Sequence, residues 1–368
     1  MPLPVVAVNA GVAVNAREAV NAGVGTNAGD SASDVLLRVA DLQVEFGARA
    51  VLRDVTFDLY AGETLGLVGE SGSGKSTLAR AILRLIRSSK GSAVWRGQDL
   101  LACEPAALRP LRRDLQIVFQ DPLASLNPRM TVGETIAEPL RIFEPDLNAE
   151  ARRERVGGML GRVGLAADMI GRYPHEFSGG QCQRIGIARA MILGPKLLIC
   201  DEPVSSLDVS IQGQIVNLLL DLQRDVGTAM LFISHNLAVI RHVSHRILVM
   251  YSGRLVEIAP RDALFATPVH PYTRALLAAV AVVPPPRGAA GPARAPLIGG
   301  PPIAGAPRRV EPAASPPAGD FGCAFRDRCA YAVGICGTTV RLEEVAVGHW
   351  VACHRSREFT ASPLPPKD

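Results

Sequence analysis

The spacing of apolar and polar positions changes several times along the chain, and each change indicates a different element. Residues 36–46 (LLRVADLQVEF) and 55–60 (VTFDLY) alternate apolar and polar side chains, as half-buried strands do. Residues 64–68 (TLGLV) are almost wholly apolar, which is typical of a strand covered on both faces. From there to about residue 256, strand-like apolar runs alternate with stretches of helical spacing. This order predicts an α/β fold.

A glycine-rich segment separates this buried strand from the helical run LARAILRLI. Its sequence, GESGSGKST at residues 69–77, fits the phosphate-loop pattern G-x-x-x-x-G-K-[ST]. Glycines let successive backbone N–H groups point at phosphate oxygens, and the helix N-terminus adds its dipole. Lys75 would reach the β- and γ-phosphates, and the Ser76 hydroxyl would bind Mg²⁺. The residues predicted to bind ATP here are Gly69, Ser71, Gly72, Ser73, Gly74, Lys75, Ser76 and Thr77.

Two adjacent carboxylates follow a second apolar run, LLIC at residues 197–200. Alone, this pattern would fit a plain strand that enters a solvated turn. Downstream of a phosphate loop, however, the chain needs an acid for the metal and a base for the water. We therefore predict that Asp201 holds the Mg²⁺ shell and that Glu202 polarises the attacking water.

A second glycine-led helix start, SGGQ at residues 178–181, precedes the helical run QCQRIGIARAMIL. Serine followed by two glycines at a helix N-terminus is again an anion-binding arrangement. Because the chain has one phosphate loop, we expect this second start to close over a nucleotide held by another copy or by a partner.

In this order, the motifs resemble those of the ATP-binding subunits of ABC transporters, over roughly residues 35–283. The resemblance implies a P-loop (RecA-like) ABC ATPase core with a helical subdomain at about residues 121–180. Phe177 replaces the usual leucine of the signature, and Cys182 stands where an arginine or another polar residue is usual. The signature residues expected to contact ATP in trans are Ser178, Gly179, Gly180 and Gln181.

The same resemblance implies roles for single residues. Gln120 would sense Mg²⁺ and the attacking water, and His235 would contact the γ-phosphate. Asp208, in the segment SSLD, would contact ATP in trans. Phe46 would stack on the adenine, with a place in the strand core as the alternative. The predicted catalytic residues are thus Lys75, Gln120, Glu202 and His235, and the predicted Mg²⁺ ligands are Ser76, Gln120 and Asp201.

Two further segments resemble the dipeptide/oligopeptide importer ATPases: DPLASLNPRM at residues 121–130 and HPYT at residues 270–273. In that family the first segment faces the membrane permease. The resemblance implies three kinds of partner: two transmembrane permease subunits, a second ABC ATPase of the same or a different sequence, and, indirectly, an extracytoplasmic solute-binding protein. It also implies a peripheral position on the cytoplasmic face of the inner membrane.

The chain divides into four parts by composition. Residues 1–33 recur in V-N-A-like triplets and are predicted to be a disordered, low-complexity extension. The ABC ATPase domain is predicted at residues 34–283, followed by a Pro-rich linker at residues 284–320. Residues 321–368 are predicted to form a small, Cys-rich extension of the oligopeptide-transporter type.

That extension contains Cys323, Cys329, Cys336 and Cys353, spaced C-x5-C-x6-C-x16-C. Four thiolates can bind zinc tetrahedrally or hold an iron–sulfur cluster, and this spacing is not that of a C-x2-C zinc ribbon. Disulfides are disfavoured in a reducing cytoplasm. Some relatives carry a [4Fe–4S] cluster at matching cysteines, so the resemblance favours the cluster, with Zn²⁺ and free thiols as alternatives.

Composition excludes some other classes of function. The net charge of +4 arises from 39 basic and 35 acidic residues, which gives no support to nucleic-acid binding through bulk charge. The longest clean apolar run, residues 275–283, is about half as long as a bilayer span requires. The first residues lack the basic segment of a secretory signal, so we expect a cytoplasmic protein.

The sequence therefore predicts an ATP-hydrolysing subunit that energises an ABC importer of di- or oligopeptides or of related solutes (nickel, opines, glutathione). The alternative is a soluble ABC ATPase of translation or DNA repair. Such proteins usually have tandem ATPase domains or a long coiled-coil insertion, and this chain has one phosphate loop and no heptads. A regulatory ATP-binding module with a redox-sensing tail is a third interpretation, disfavoured by the intact Glu202 and His235.

Overall fold

The computed structural model describes residues 35–281 and 322–360. The predicted low-complexity extension (1–33) and Pro-rich linker (284–320) lie outside these residues. Among the described residues, no helix is both long enough and apolar enough to cross a membrane.

The described residues form twelve strands and ten α-helices. The strands are β1 (Val35–Phe46), β2 (Arg49–Tyr60), β3 (Thr64–Val68), β4 (Lys90–Trp95), β5 (Gln98–Asp99), β6 (Leu115–Val118), β7 (Leu197–Asp201), β8 (Ala229–Ile233), β9 (Arg246–Tyr251), β10 (Arg254–Pro260), β11 (Glu343–Ala346) and β12 (His349–Val351). The helices are α1 (Lys75–Ile82), α2 (Pro105–Leu111), α3 (Val132–Phe143), α4 (Ala149–Arg162), α5 (Gly179–Met191), α6 (Val209–Val226), α7 (Leu237–Val243), α8 (Arg261–Ala266), α9 (Pro271–Ala281) and α10 (Ser356–Thr360). The predicted α/β class is confirmed.

The smaller sheet has four antiparallel strands in the order β2-β1-β4-β5. The period-2 pattern at the start of β1 places Leu37 and Val39 in the core, while Arg38 between them is exposed. A register shift after Val39 then returns Leu42 to the core. Arg38 donates two hydrogen bonds, of 2.9 and 3.0 Å, to the Asp58 carboxylate on the neighbouring β2. The alternation in the sequence therefore fixes which face of this sheet is buried.

The larger sheet has eight strands in the order β11-β12-β10-β9-β3-β8-β7-β6. Its β9, β3, β8, β7 and β6 run parallel, and both faces of its central strands are covered. Along β7, Leu197 and Ile199 enter one core while Leu198 and Cys200 enter the other. Continuous apolar runs such as TLGLV and LLIC arise because both faces of these strands need apolar side chains.

Each face of the larger sheet is covered by a different layer. The smaller sheet and α1 pack on one face, and α3 to α7 pack on the other. Gly66 of β3 permits the close approach of α7, since a Cβ there would lie 2.3 Å from Ser244 Oγ and 3.1 Å from Ile240 Cγ2. Helices α3 and α4 fall within residues 121–180, where the helical subdomain is expected, and its boundaries stay a prediction.

The C-terminal strands continue the larger sheet, because β12 pairs antiparallel with β10. Glu257 of β10 is fully buried, and its carboxylate accepts backbone N–H groups of Val269 (2.8 Å) and His270 (2.9 Å). His349 Nε2 of β12 lies 2.7 Å from the same carboxylate. The C-terminal segment is therefore joined to the α/β core by a sheet ladder and by a buried polar cluster.

Candidate active site

The carboxyl ends of β3, β8, β7 and β6 meet at one edge of the larger sheet. The register places Leu67 beside Ile233, and Ile233 beside Asp201. The phosphate loop follows β3, and Glu202 follows β7. His235 follows β8, and Gln120 follows β6. Parallel pairing thus brings together segments that are far apart in sequence, at the edge where α/β folds place their ligand sites.

The phosphate loop depends on glycine at two positions. Gly74, which caps the N-terminus of α1, has φ = 105°, in the left-handed region, and a Cβ there would lie 2.8 Å from Leu52 Cδ2. At Gly69, a Cβ would lie 2.2 Å from the Met250 carbonyl oxygen. Side chains at these positions would push the loop away from β2 and β9.

Lys75 begins α1 and is 5% exposed. Its Nζ donates to the carbonyl oxygens of Gly69 (2.9 Å) and Glu70 (3.0 Å), so the ammonium group lies inside the loop. Burial lowers the pKa of Lys75, while the nearby carboxylates of Glu202 and Asp201 favour its charged form. The loop therefore surrounds a cation at the point where phosphate oxygens would enter.

Ser76 and Asp201 form a pair that fits a hydrated Mg²⁺ ion. The Ser76 hydroxyl donates to Asp201 Oδ1 at 2.8 Å, and Asp201 is 1% exposed. Burial raises the pKa of this carboxyl, and the hydrogen bond from Ser76 opposes that rise. Its Oδ2 is buried and has no hydrogen-bond partner among the described residues. A buried carboxylate oxygen without a partner, beside a hydroxyl, is the donor set that Mg²⁺ prefers.

Glu202 lies one residue beyond β7 with φ = 46°, in the left-handed region. Its backbone N–H donates to the Ile233 carbonyl oxygen at 3.1 Å, which holds the residue between the ends of two strands. Its carboxylate contacts His235 Nδ1 at 3.2 Å and accepts Gln120 Nε2 at 3.4 Å. Such strain in a non-glycine residue is typical of functional sites.

The contact between Glu202 and His235 affects both side chains. The hydrogen bond from His235 holds the pKa of the Glu202 carboxyl below its ordinary value, and the same bond raises the pKa of His235. The histidine side chain is 58% exposed, so water screens the interaction.

Several of these groups line an open cleft of about 420 Å³. It is lined by nine of the thirteen residues predicted for this chain's own ATP site, whereas Gly69, Ser73 and Asp201 do not line it. Val51 of β2, which sequence reasoning missed, also lines the cleft. Phe46 does not line the cleft but is 54% exposed at the end of β1, which excludes the strand core as its place. The lining residues are Val51, Ser71, Gly72, Gly74, Lys75, Ser76, Thr77, Gln120, Glu202 and His235.

The residues predicted to act in trans lie outside their own chain's cleft. Ser178 caps α5 in a capping box, in which its N–H donates to Gln181 Oε1 at 3.0 Å. Gly179 and Gly180 form the first turn of this helix. Asp208, at the start of α6, is exposed. None of these residues lines the cleft described above.

The four C-terminal cysteines line one small cavity, together with His354 and Phe359. Burial raises the pKa of Cys323, and it raises the pKa of Cys353 to about 11. Within residues 35–281 and 322–360, however, no group of three or more His, Cys, Asp or Glu side chains is arranged to hold a metal ion. The iron–sulfur and zinc predictions thus find no support in a preformed site.

Sequence reasoning also missed a contact between the C-terminal segment and the phosphate loop. The Arg328 guanidinium binds both carboxylate oxygens of Glu70, and the Tyr272 hydroxyl accepts the Glu70 backbone N–H at 2.9 Å. Glu70 occupies a variable position of the loop pattern, so no sequence signal pointed to this contact.

Comparisons with known proteins agree with this fold and site. A family model for "ABC transporter" matches residues 52–205, and one for "Oligopeptide/dipeptide transporter, C-terminal region" matches residues 256–336. The chain is 49% identical over 332 residues to the oligopeptide transport ATP-binding protein OppF of Escherichia coli, covering 87% of this chain and 96% of OppF. It is 56% identical over 265 residues to the glutathione import ATP-binding protein GsiA of E. coli, covering 68% of this chain and 42% of GsiA.

Solved structures show the same cassette. The ATP-binding cassette MJ0796, described in a dimeric post-hydrolysis state bound to ADP and Pi, superposes with a TM-score of 0.57 at 27% identity. That match covers 61% of this chain and 98% of the other. CbiO1 of Clostridium perfringens, part of the transporter complex cbiONQ, gives the same TM-score at 26% identity, covering 63% and 91%.

The fold and the site thus define an ABC ATPase, an enzyme that hydrolyses ATP to drive transport. More narrowly, the chain belongs to the ABC transporter ATP-binding subunits of the oligopeptide/dipeptide transporter family. A soluble ABC ATPase of translation or DNA repair fits these matches less well.

The contact between Glu202 and His235 predicts a pH window in the nucleotide-free protein. Because the pKa of His235 is raised, the stabilisation from this pair is lost as the pH rises through that pKa. Because the pKa of Glu202 is lowered, the stabilisation is also lost as the pH falls through the carboxyl pKa. The pair therefore stabilises the fold between these two pKa values. An NMR titration of the full chain should place the pKa of His235 above the ordinary value, and Glu202→Gln should lower it.

Glu154→Gln, which changes an exposed residue of α4, is the matched control and should leave the pKa of His235 unchanged. An identical His235 pKa in the wild type and in Glu202→Gln would show that the two side chains do not interact in solution.

Proposed function

We propose that the cleft binds Mg²⁺–ATP and that the predicted residues act there in the roles assigned from the sequence. Lys75 and the backbone N–H groups of the phosphate loop hold the phosphates, and Ser76 and Asp201 hold the metal. Mg²⁺, when bound, neutralises charge on the phosphate oxygens. Phe46 stacks on the adenine, since its ring is exposed at the end of β1.

Glu202 is the general base of this proposal. Its carboxylate lies at the end of β7, next to the buried Asp201, and its lowered pKa keeps it ionised, the form that can accept a proton from water. His235 and Gln120 both contact this carboxylate and orient it. His235 also contacts the γ-phosphate, and Gln120 senses Mg²⁺ and the attacking water. The observation that carries the proposal is that the His235 and Gln120 side chains both contact the Glu202 carboxylate.

A second ATPase subunit completes the site in trans. Ser178, Gly179, Gly180 and Gln181 lie at a helix N-terminus outside their own chain's cleft, and Asp208 is exposed. A helix N-terminus favours anions, so these residues are suited to the phosphates of a nucleotide held by another subunit. The second subunit is either a copy of this chain or a related one.

The proposed task is to energise the import of di- or oligopeptides or of related solutes through two transmembrane permease subunits. The names of the OppF and GsiA relatives support this solute class. The segment at residues 121–130 presents Leu123, 52% exposed, while Leu126 is buried beneath it. Arg189 Nη1 holds the Ser125 carbonyl oxygen at 2.8 Å. A loop held in this way, with an exposed leucine, is suited to contact a permease on the cytoplasmic face of the membrane. The solute-binding protein would deliver the solute to the permease and would not contact this chain.

Glu202→Gln tests the catalytic assignment in the full chain. The substitution keeps the shape of the side chain but removes the proton acceptor, so ATP turnover should fall about 100-fold or more, while ATP binding persists. A phosphate-release assay and a nucleotide-binding titration measure the two effects.

Glu154→Gln serves again as the matched control and should turn over ATP at the wild-type rate. If Glu202→Gln hydrolysed ATP as fast as this control, Glu202 would not be the base and the proposed site would be wrong.

We further propose that Cys323, Cys329, Cys336 and Cys353 bind a [4Fe–4S] cluster. The support is chemical: the four cysteines, which are spread over 31 positions of the C-terminal segment, line one cavity, and iron–sulfur clusters are held by four such ligands. A bound cluster would cross-link these parts of the segment. Zn²⁺ is the alternative, since it accepts the same four ligands.

Metal analysis of the anaerobically purified full chain decides this point. We expect absorbance at about 400 nm, with about four iron and four sulfide per chain. The absorbance, the iron and the sulfide should all be lost in Cys336→Ser. Cys103→Ser, which alters a cysteine outside the cavity, should keep the metal. A colourless wild-type protein, with stoichiometric zinc or with no metal, would refute the cluster.

A further inference from the structure

We propose that Arg328 of the C-terminal segment is a positioning residue for the phosphate loop and that it acts through Glu70. The inference rests on the proposed ATP site and adds a residue to it that lies far away in sequence. Arg328 Nη1 and Nη2 donate to the two carboxylate oxygens of Glu70 at 2.8 and 3.0 Å. A two-pronged pair of this kind fixes the direction of a carboxylate as well as its distance.

Arg328 is itself held in place by aromatic rings. Its guanidinium carbon lies 5.6 Å from the centre of the Tyr251 ring and 5.8 Å from that of Phe325. Phe325 is buried and packs edge-on against Tyr251, with ring centres 5.2 Å apart. The turn that carries Arg328 is therefore anchored to β9 by packing, and the arginine projects from a fixed base.

A second contact holds the backbone of the same loop residue. The Tyr272 hydroxyl accepts the Glu70 N–H at 2.9 Å, and Tyr272 is 2% exposed. The Tyr272 ring packs against Tyr251 and Phe325, at 4.7 and 5.4 Å between ring centres. Arg328 and Tyr272 thus hold the side chain and the main chain of Glu70 from one aromatic cluster.

Glu70 connects this cluster to the lysine of the phosphate loop. Its carbonyl oxygen accepts the Lys75 ammonium at 3.0 Å and the Ser73 N–H at 3.1 Å. Its carboxylate carries a negative charge into a loop that must hold the phosphates of ATP. Arg328 offsets that charge and fixes the carboxylate by two hydrogen bonds, so the loss of Arg328 should weaken nucleotide binding.

The test is the dissociation constant for Mg²⁺–ADP, measured by calorimetry on the full chain. Arg328→Gln should raise it about 3- to 5-fold, a modest effect because both partners are about half exposed. Arg328→Lys keeps the charge but loses the two-pronged geometry and should give an intermediate value. In a Glu70→Gln background, Arg328→Gln should change the constant less than about 2-fold, because the charge pair is already gone.

Arg357→Gln removes an exposed arginine from the same C-terminal segment and is the matched control, expected to bind as the wild type does. An unchanged constant in Arg328→Gln, or an equal increase in both backgrounds, would overturn the proposal, since Arg328 would then not act through Glu70. The proposed function fails separately: in that case the wild-type chain would not bind Mg²⁺–ADP, or Glu202→Gln would still hydrolyse ATP.

Discussion

The parallel pairing of β3, β8, β7 and β6 is the constraint on which the rest of the structure depends. It aligns the carboxyl ends of four strands, so that the phosphate loop, Asp201, Glu202 and His235 meet at one edge. The buried faces of these strands lock this register, since a one-residue slip would exchange the two cores. The geometry of the active site is thus set by apolar packing that lies outside it.

The charged side chains at that edge are either enclosed by the loop, buried, or paired with another side chain. Lys75 is enclosed by the loop. Asp201 is buried, and one of its oxygens has no hydrogen-bond partner in the part of the chain that the structure describes, a cost that a bound cation would offset. Glu202 keeps its charge through His235, on a backbone held in a strained conformation. Arg328 of the C-terminal segment, which is far from the loop in sequence, donates to the carboxylate of Glu70, the residue next to Gly69.

Residue patterns predicted the α/β class, the phosphate loop and the strand ends, because each of these follows from local spacing. The resemblance to a family supplied Gln120 and His235, and the structure places both against Glu202. The addition of β12 to the sheet and the contact of Arg328 with Glu70 could not be predicted, since they depend on how distant segments meet. The spacing of the four cysteines predicted a metal site, but among the described residues no group of side chains is arranged to hold a metal ion.

The most direct measurement of the central claim is the composition of the complex that contains this chain. A tagged full-length chain would be recovered from detergent-solubilised native membranes, and its partners would be identified by mass spectrometry. The account predicts two multi-span permease subunits, with a second ATPase where the pair is heteromeric. Recovery of ribosomal or DNA-repair proteins without any membrane protein would contradict it.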